Sequence, residues 1–120
     1  MLLRTAMTVG LAGLWLGCGK AKPPEAKNSA PGFAKDIQPI LARYCHECHG
    51  EMYTESRLDT RTLDMILKGG ESGPAVVPKQ PAVSLLYEMM RDEQMPPEGA
   101  APSPAELELI RQWILQGAQP

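Results

Sequence analysis

Cys45-His46-Glu47-Cys48-His49 sets two cysteines three positions apart and puts a histidine directly after the second. That spacing is the signature of covalent haem attachment. At a helix end, the two sulfurs reach the two vinyl-derived carbons of one porphyrin edge, and the adjacent imidazole swings under the ring to the iron. The expected cofactor is therefore one haem c, bonded to Cys45 and Cys48, with His49 as an iron ligand. A thioredoxin-type dithiol would need a βαβ setting. A closed zinc site would need four ligands, and no second, distant pair stands ready. His46, an intervening residue, is expected to point outward.

Working outward, the chain from Phe33 onward reads as four helices separated by Pro/Gly loops, with no convincing period-2 strand. Phe33, Ile37, Ile40, Leu41 and Tyr44 share one face of a helix from about Phe33 to Cys45, in which Pro39 predicts a kink or a regular part starting near Asp36. A short second helix, capped by Asp59 or Thr60, uses Leu63, Ile66 and Leu67 and stops at Gly69-Gly70. The loop from Glu71 to Gln80, with Gly73-Pro74 and Pro78, is expected to wrap the cofactor edge. The third helix runs from about Pro81 or Ser84 to Asp92 and breaks at Met95-Pro96-Pro97. Ser103-Pro104-Ala105-Glu106 supplies a cap, a first-position proline and the returning glutamate of a capping box, predicting a last helix buried through Leu107, Ile110 and Ile114.

The chain has only two histidines, so methionine is the natural second iron ligand. Met89 and Met90 lie inside an amphipathic helix, where methionine usually fills a core. Met95 stands apart, because the two following prolines hold it in a preorganised loop. Met95 is the leading candidate and Met52, soon after the haem motif, the alternative. A neutral thioether favours ferrous iron and an oxidising potential among c-type haems.

The N-terminus predicts export. Arg4 is followed by an apolar stretch from Met7 to Leu16, too short to span a bilayer, ending at Leu16-Gly17-Cys18. This ending resembles the lipobox of bacterial lipoproteins, which makes Cys18 the expected lipidation site, although Trp15 stands where the pattern usually has leucine. Residues Gly19 to Pro31 combine Pro, Ala and Lys without apolar periodicity and read as a solvated tether. The expected organisation is a signal peptide over 1–17, a flexible tether over 18–31 and a haem domain over 32–120, anchored to a membrane through lipid at Cys18 outside the cytoplasm, in the periplasm or at the cell surface.

Net charge is −2, and no Lys/Arg cluster suggests a nucleic-acid surface. After the tether, eight basic residues face thirteen acidic ones, a balance of −5, so a redox partner with a basic docking face is favoured.

The chain resembles the small planctomycete-type cytochrome c domains, related to class I cytochromes c. The resemblance covers nearly all of Phe33 to Ala118 and rests on the Cys45–His49 motif together with Arg57-Leu58-Asp59-Thr60-Arg61, Gly70-Glu71-Ser72-Gly73-Pro74-Ala75-Val76-Val77-Pro78, Ser84-Leu85-Leu86-Tyr87, Met95-Pro96-Pro97 and Trp113-Ile114. It implies an all-α fold of about four helices around one covalent haem, with the first and last helices crossing near its edge and His49 and Met95 on opposite sides of the iron. It implies electron transfer rather than catalysis, by a free carrier or a subunit of a larger dehydrogenase. A small peroxidase is the alternative enzyme, and it lacks an evident distal acid/base group. Leu58, Val76, Val77 and Leu86 are expected to pack the haem, Arg57 or Arg61 to neutralise a propionate, and the Pro74 carbonyl to accept from the free nitrogen of His49.

Overall fold

The computed structural model describes residues 29–120; the expected signal peptide, Cys18 and most of the tether lie outside them. The first helical stretch opens as a π-helical turn, Phe33–Ile37, and continues as α1, Gln38–Tyr44. The wider turn answers the problem posed by Pro39. In a regular helix its ring would strike the carbonyl four residues back and its missing N–H would break the ladder. Placed at the start of α1, after a π turn closed by the Gln38 N–H on the Phe33 carbonyl, the proline is tolerated and the apolar face runs on unbroken.

Three further helices follow: α2, Leu63–Lys68; α3, Leu85–Arg91; and α4, Pro104–Leu115. Single 3₁₀ turns lie at Glu55–Arg57 and Pro81–Val83. Among the described residues there is no strand, only isolated bridges at His49–Thr54 and Gly70–Gly73, so the all-α expectation holds. The cap of α2 is corrected. Thr62 accepts from the Met65 N–H at 3.3 Å, whereas Asp59 turns back to the Arg61 N–H at 2.9 Å and Thr60 is buried. The helix ends where Gly69 adopts φ +75°, and a side chain there would collide with the Gly73 carbonyl.

The last helix carries the capping box foreseen at Ser103 and Glu106, with both reciprocal bonds present. The Glu106 carboxylate has a second task, accepting from the Tyr44 hydroxyl at 3.1 Å and from Arg43 at 2.6 Å. At the other end of the same pair of helices Phe33 meets Trp113, ring centroids 5.8 Å apart, and the Trp113 indole N–H and the Phe33 N–H both donate to the Gln119 carbonyl. The first and last helices therefore lie against each other in opposite senses, closing the chain on itself.

Ile37, Leu41, Ile66, Ile110, Trp113 and Ile114 are fully buried in one core. Each contributes on the order of 1.5–3 kcal/mol by leaving water. Between α2 and α3 the loop is threaded through this core by Val76 and pinned by the buried Ser84 hydroxyl, which accepts from the Val77 N–H at 2.9 Å and bonds the Gln80 carbonyl at 2.8 Å.

Candidate functional site

One side of this frame is left open as an apolar cleft, about 670 Å³ including its mouth. Leu58, Ala75, Leu85, Leu86, Met89 and Met90 form its walls, and Cys45, His49 and Met95 lie on its surface, with the hydroxyl-bearing Ser56, Thr60 and Ser72. Among the described residues no group of three or more His, Cys, Asp or Glu side chains gathers.

The Cys–His motif leaves the end of α1 in tight turns. The His49 N–H donates to the Cys45 carbonyl at 2.8 Å and the Cys48 N–H to the same oxygen at 3.2 Å. Gly50 follows, buried, where any Cβ would run into the His46 carbonyl oxygen. Cys45 sits in the cleft, and burial, with a smaller contribution from Cys48, pushes its thiol up to about 11. It is thus a neutral thiol at pH 7, unlike the acidified cysteine of a thiol–disulfide exchanger. Cys48 is exposed and lies outside the main cleft. It lines a neighbouring hollow whose other residues include Tyr44, Pro96 and Pro97, so the residues that follow Met95 stand beside the second thiol.

The ring of His49 is fixed by its own loop. Its Nδ1 bonds the Glu55 carbonyl at 3.0 Å; a carbonyl only accepts, so Nδ1 carries the proton and Nε2 keeps its lone pair for a metal. This corrects the expected partner: Pro74 is exposed and makes no bond to His49, because the 3₁₀ turn at Glu55–Arg57 already brings a carbonyl to the ring. The sequence signal for that turn was weak, since Ser56 and Arg57 adopt positive φ, 54° and 57°, without being glycine. His46 does not point freely outward either; its Nε2 donates to the Thr60 carbonyl at 3.3 Å.

Met95 reaches the cleft from the loop after α3. Glu93 takes φ 55° and ends the helix, and the N–H groups of Gln94 and Met95 fold back onto the Met89 carbonyl at 2.8 and 3.0 Å. Met95 is 39% exposed at the mouth, whereas Met52 is 82% exposed and lies away from the cleft. Met90 belongs to the core, but Met89, read from the sequence as filler, lines the cleft. Of the expected packing residues, Leu58 and Leu86 line it; Val76 is buried elsewhere in the core and Val77 is not in the wall. Arg57 and Arg61 are also absent from the wall: Arg57 faces Glu71 at 3.5 Å, and Arg61 is held by Asp59 at 2.8 Å.

A covalent haem fits these residues. An apolar slot, a cysteine in its wall and another at its side, an imidazole with Nε2 unprotonated and a thioether at its mouth are the kinds of group that could hold one. Residues 45–99 match the family model described as Planctomycete cytochrome C. The matched segment takes in the Cys–His motif, α2, α3 and Met95; α1 and α4 flank it. Comparison with curated proteins and with solved structures found no match. A match to that family implies covalently bound haem, and cytochrome c domains are typically extracytoplasmic. No helix among the described residues is long and apolar enough to cross a membrane.

Proposed function

We propose that the protein is a monohaem electron carrier tethered to a membrane outside the cytoplasm by lipid on Cys18, with thioethers at Cys45 and Cys48 and axial ligation by His49 and Met95. One observation carries the reading: Cys45, His49 and Met95, contributed by two separate segments, line one apolar cleft. When bound, the haem supplies a one-electron ferric/ferrous couple. The chain's own residues do the rest. Glu55 holds His49 in the tautomer that offers Nε2, Met95 offers a neutral sulfur that favours the reduced metal, and Leu58, Leu85 and Leu86 keep water from the slot.

The cleft wall offers sulfur, hydroxyl and hydrocarbon besides His49, with no carboxylate or second imidazole. That supports a carrier over a peroxide-cleaving haem, which needs a distal acid/base group. The excess of acidic residues in the domain supports a partner with a basic docking face. A pyridine haemochrome spectrum with intact mass, on protein made with a haem-attachment system, tests the proposal. One haem mass and a separate acyl increment on Cys18 are expected; a haem-free mass removes the main reading.

A further inference from the structure

Glu55, whose carbonyl orients His49, belongs to a stretch in which residues 51–57 are all exposed, so something else must hold that carbonyl still. The ends of the stretch converge on Thr60, which is 1% exposed. Its hydroxyl and its N–H both donate to the His49 carbonyl, each at 2.9 Å, and its own carbonyl accepts from His46. Two more ties are backbone only: the Glu55 N–H on the Cys48 carbonyl at 3.0 Å and the Glu71 N–H on the Ser56 carbonyl at 2.8 Å. Thr60 alone among these ties uses a buried side chain. It closes the 50–59 loop directly on the residue whose ring that loop must orient.

We propose that Thr60 is the positioning residue for His49: by doubly bonding the His49 carbonyl it closes the loop that carries the Glu55 carbonyl to Nδ1. The inference rests on the reading of His49 as an iron ligand. A buried hydroxyl is itself costly unless bonded, and here its bond falls on the segment that carries the ligand. Loosening the closure lets Glu55 drift from Nδ1, which makes the imidazole a weaker donor and favours the reduced metal.

The test compares Thr60→Val, which keeps the shape and loses the hydroxyl, with Thr60→Ser, which keeps the hydroxyl and loses the methyl, both as haem-loaded full chain. Solvent exchange of the His49 Nδ1–H, read from its shifted NMR signal in the ferric protein, is expected to quicken about five-fold in Thr60→Val, the factor that one lost hydrogen bond of ~1 kcal/mol corresponds to. The midpoint potential should rise in the same variant. Thr60→Ser should stay near wild type in both. Wild-type exchange and potential in Thr60→Val, or equal disturbance in Thr60→Ser, overturns the proposal and leaves His49 ligation intact. A wild-type spectrum without an axial histidine signal overturns the ligand reading and Thr60's role with it.

Discussion

The wall of the cleft that carries His49 and the wall that carries Met95 are built on different terms. Between Cys45 and Thr60 the backbone is tied to itself across short distances: Cys48 to Glu55, His49 to Thr60, and the His49 ring to Glu55. Gly50 and Thr60 are buried within that knot. On the other wall, Met95 is held through its N–H on the end of α3, and Gln94, Met95, Pro97 and Glu98 are exposed. One proposed ligand is part of a closed unit and the other hangs from a helix end. Local opening costs least where few buried contacts resist it, so ligand exchange at the iron should occur at Met95 and leave His49 in place.

The sharpest way to break the contrast is Met95→Ala. Covalent haem should remain, the potential should fall by on the order of 0.1 V or more within the roughly 0.8 V range that axial ligation commands, and the ferrous iron should take up carbon monoxide at once. Met52→Ala should leave all three measurements where they were, because Met52 lies away from the cleft. An unchanged ligand-field spectrum in Met95→Ala would reject the loop as the source of the second ligand.

A smaller effect tests the closed unit. In Gly50→Ala the new methyl meets the His46 carbonyl oxygen, a backbone atom fixed by the turns around it. Overpacking against such a neighbour costs about 1–3 kcal/mol. Urea unfolding of the haem-loaded protein should show a loss of that size, whereas Gly99→Ala, where nothing lies within 4 Å of the added carbon, should lose less, the cost being its φ of +87°. Equal losses in the two would mean that the knot around His49 is slacker than its hydrogen bonds imply.

The two walls also differ in how far the sequence disclosed them. Cys45, Cys48 and His49 sit within five residues, so their chemistry is written in spacing alone. Helical periodicity and the Ser103–Glu106 box likewise fix α1 and α4, because they depend on neighbours three and four positions away. Met95 could be singled out only by the scarcity of histidine and by the prolines after it. The Glu55 carbonyl was invisible: it is a backbone atom, and its place depends on two non-glycine residues at positive φ, which no side-chain pattern announces. Thr60 looked like a helix cap because threonine caps helices, yet Thr62 took that role and left Thr60 to be buried. Met89 shares its helix face with core residues, and only the position of the cleft shows that it lines a wall.

The smallest effect concerns the frame that both walls share. The Glu106 carboxyl lies below its ordinary value of 4.5, first because it accepts from the Ser103 N–H, then through the Ser103 and Tyr44 hydroxyls and the Arg43 charge. A depressed carboxyl stabilises the folded state fully above its unfolded value, and that contribution fades as pH falls through the folded one. The joint between α1 and α4 should therefore weaken only below about pH 4.5, the ordinary value. Glu106→Gln keeps a side-chain oxygen for the capping box but removes the charge. At pH 7 it should cost less than about 1 kcal/mol, as expected for an ion pair at the surface. As the pH is lowered the two unfolding curves should converge, since protonated Glu106 also lacks the charge. Parallel curves down to pH 3 would show that the Glu106 charge adds nothing to the joint with Arg43 and Tyr44.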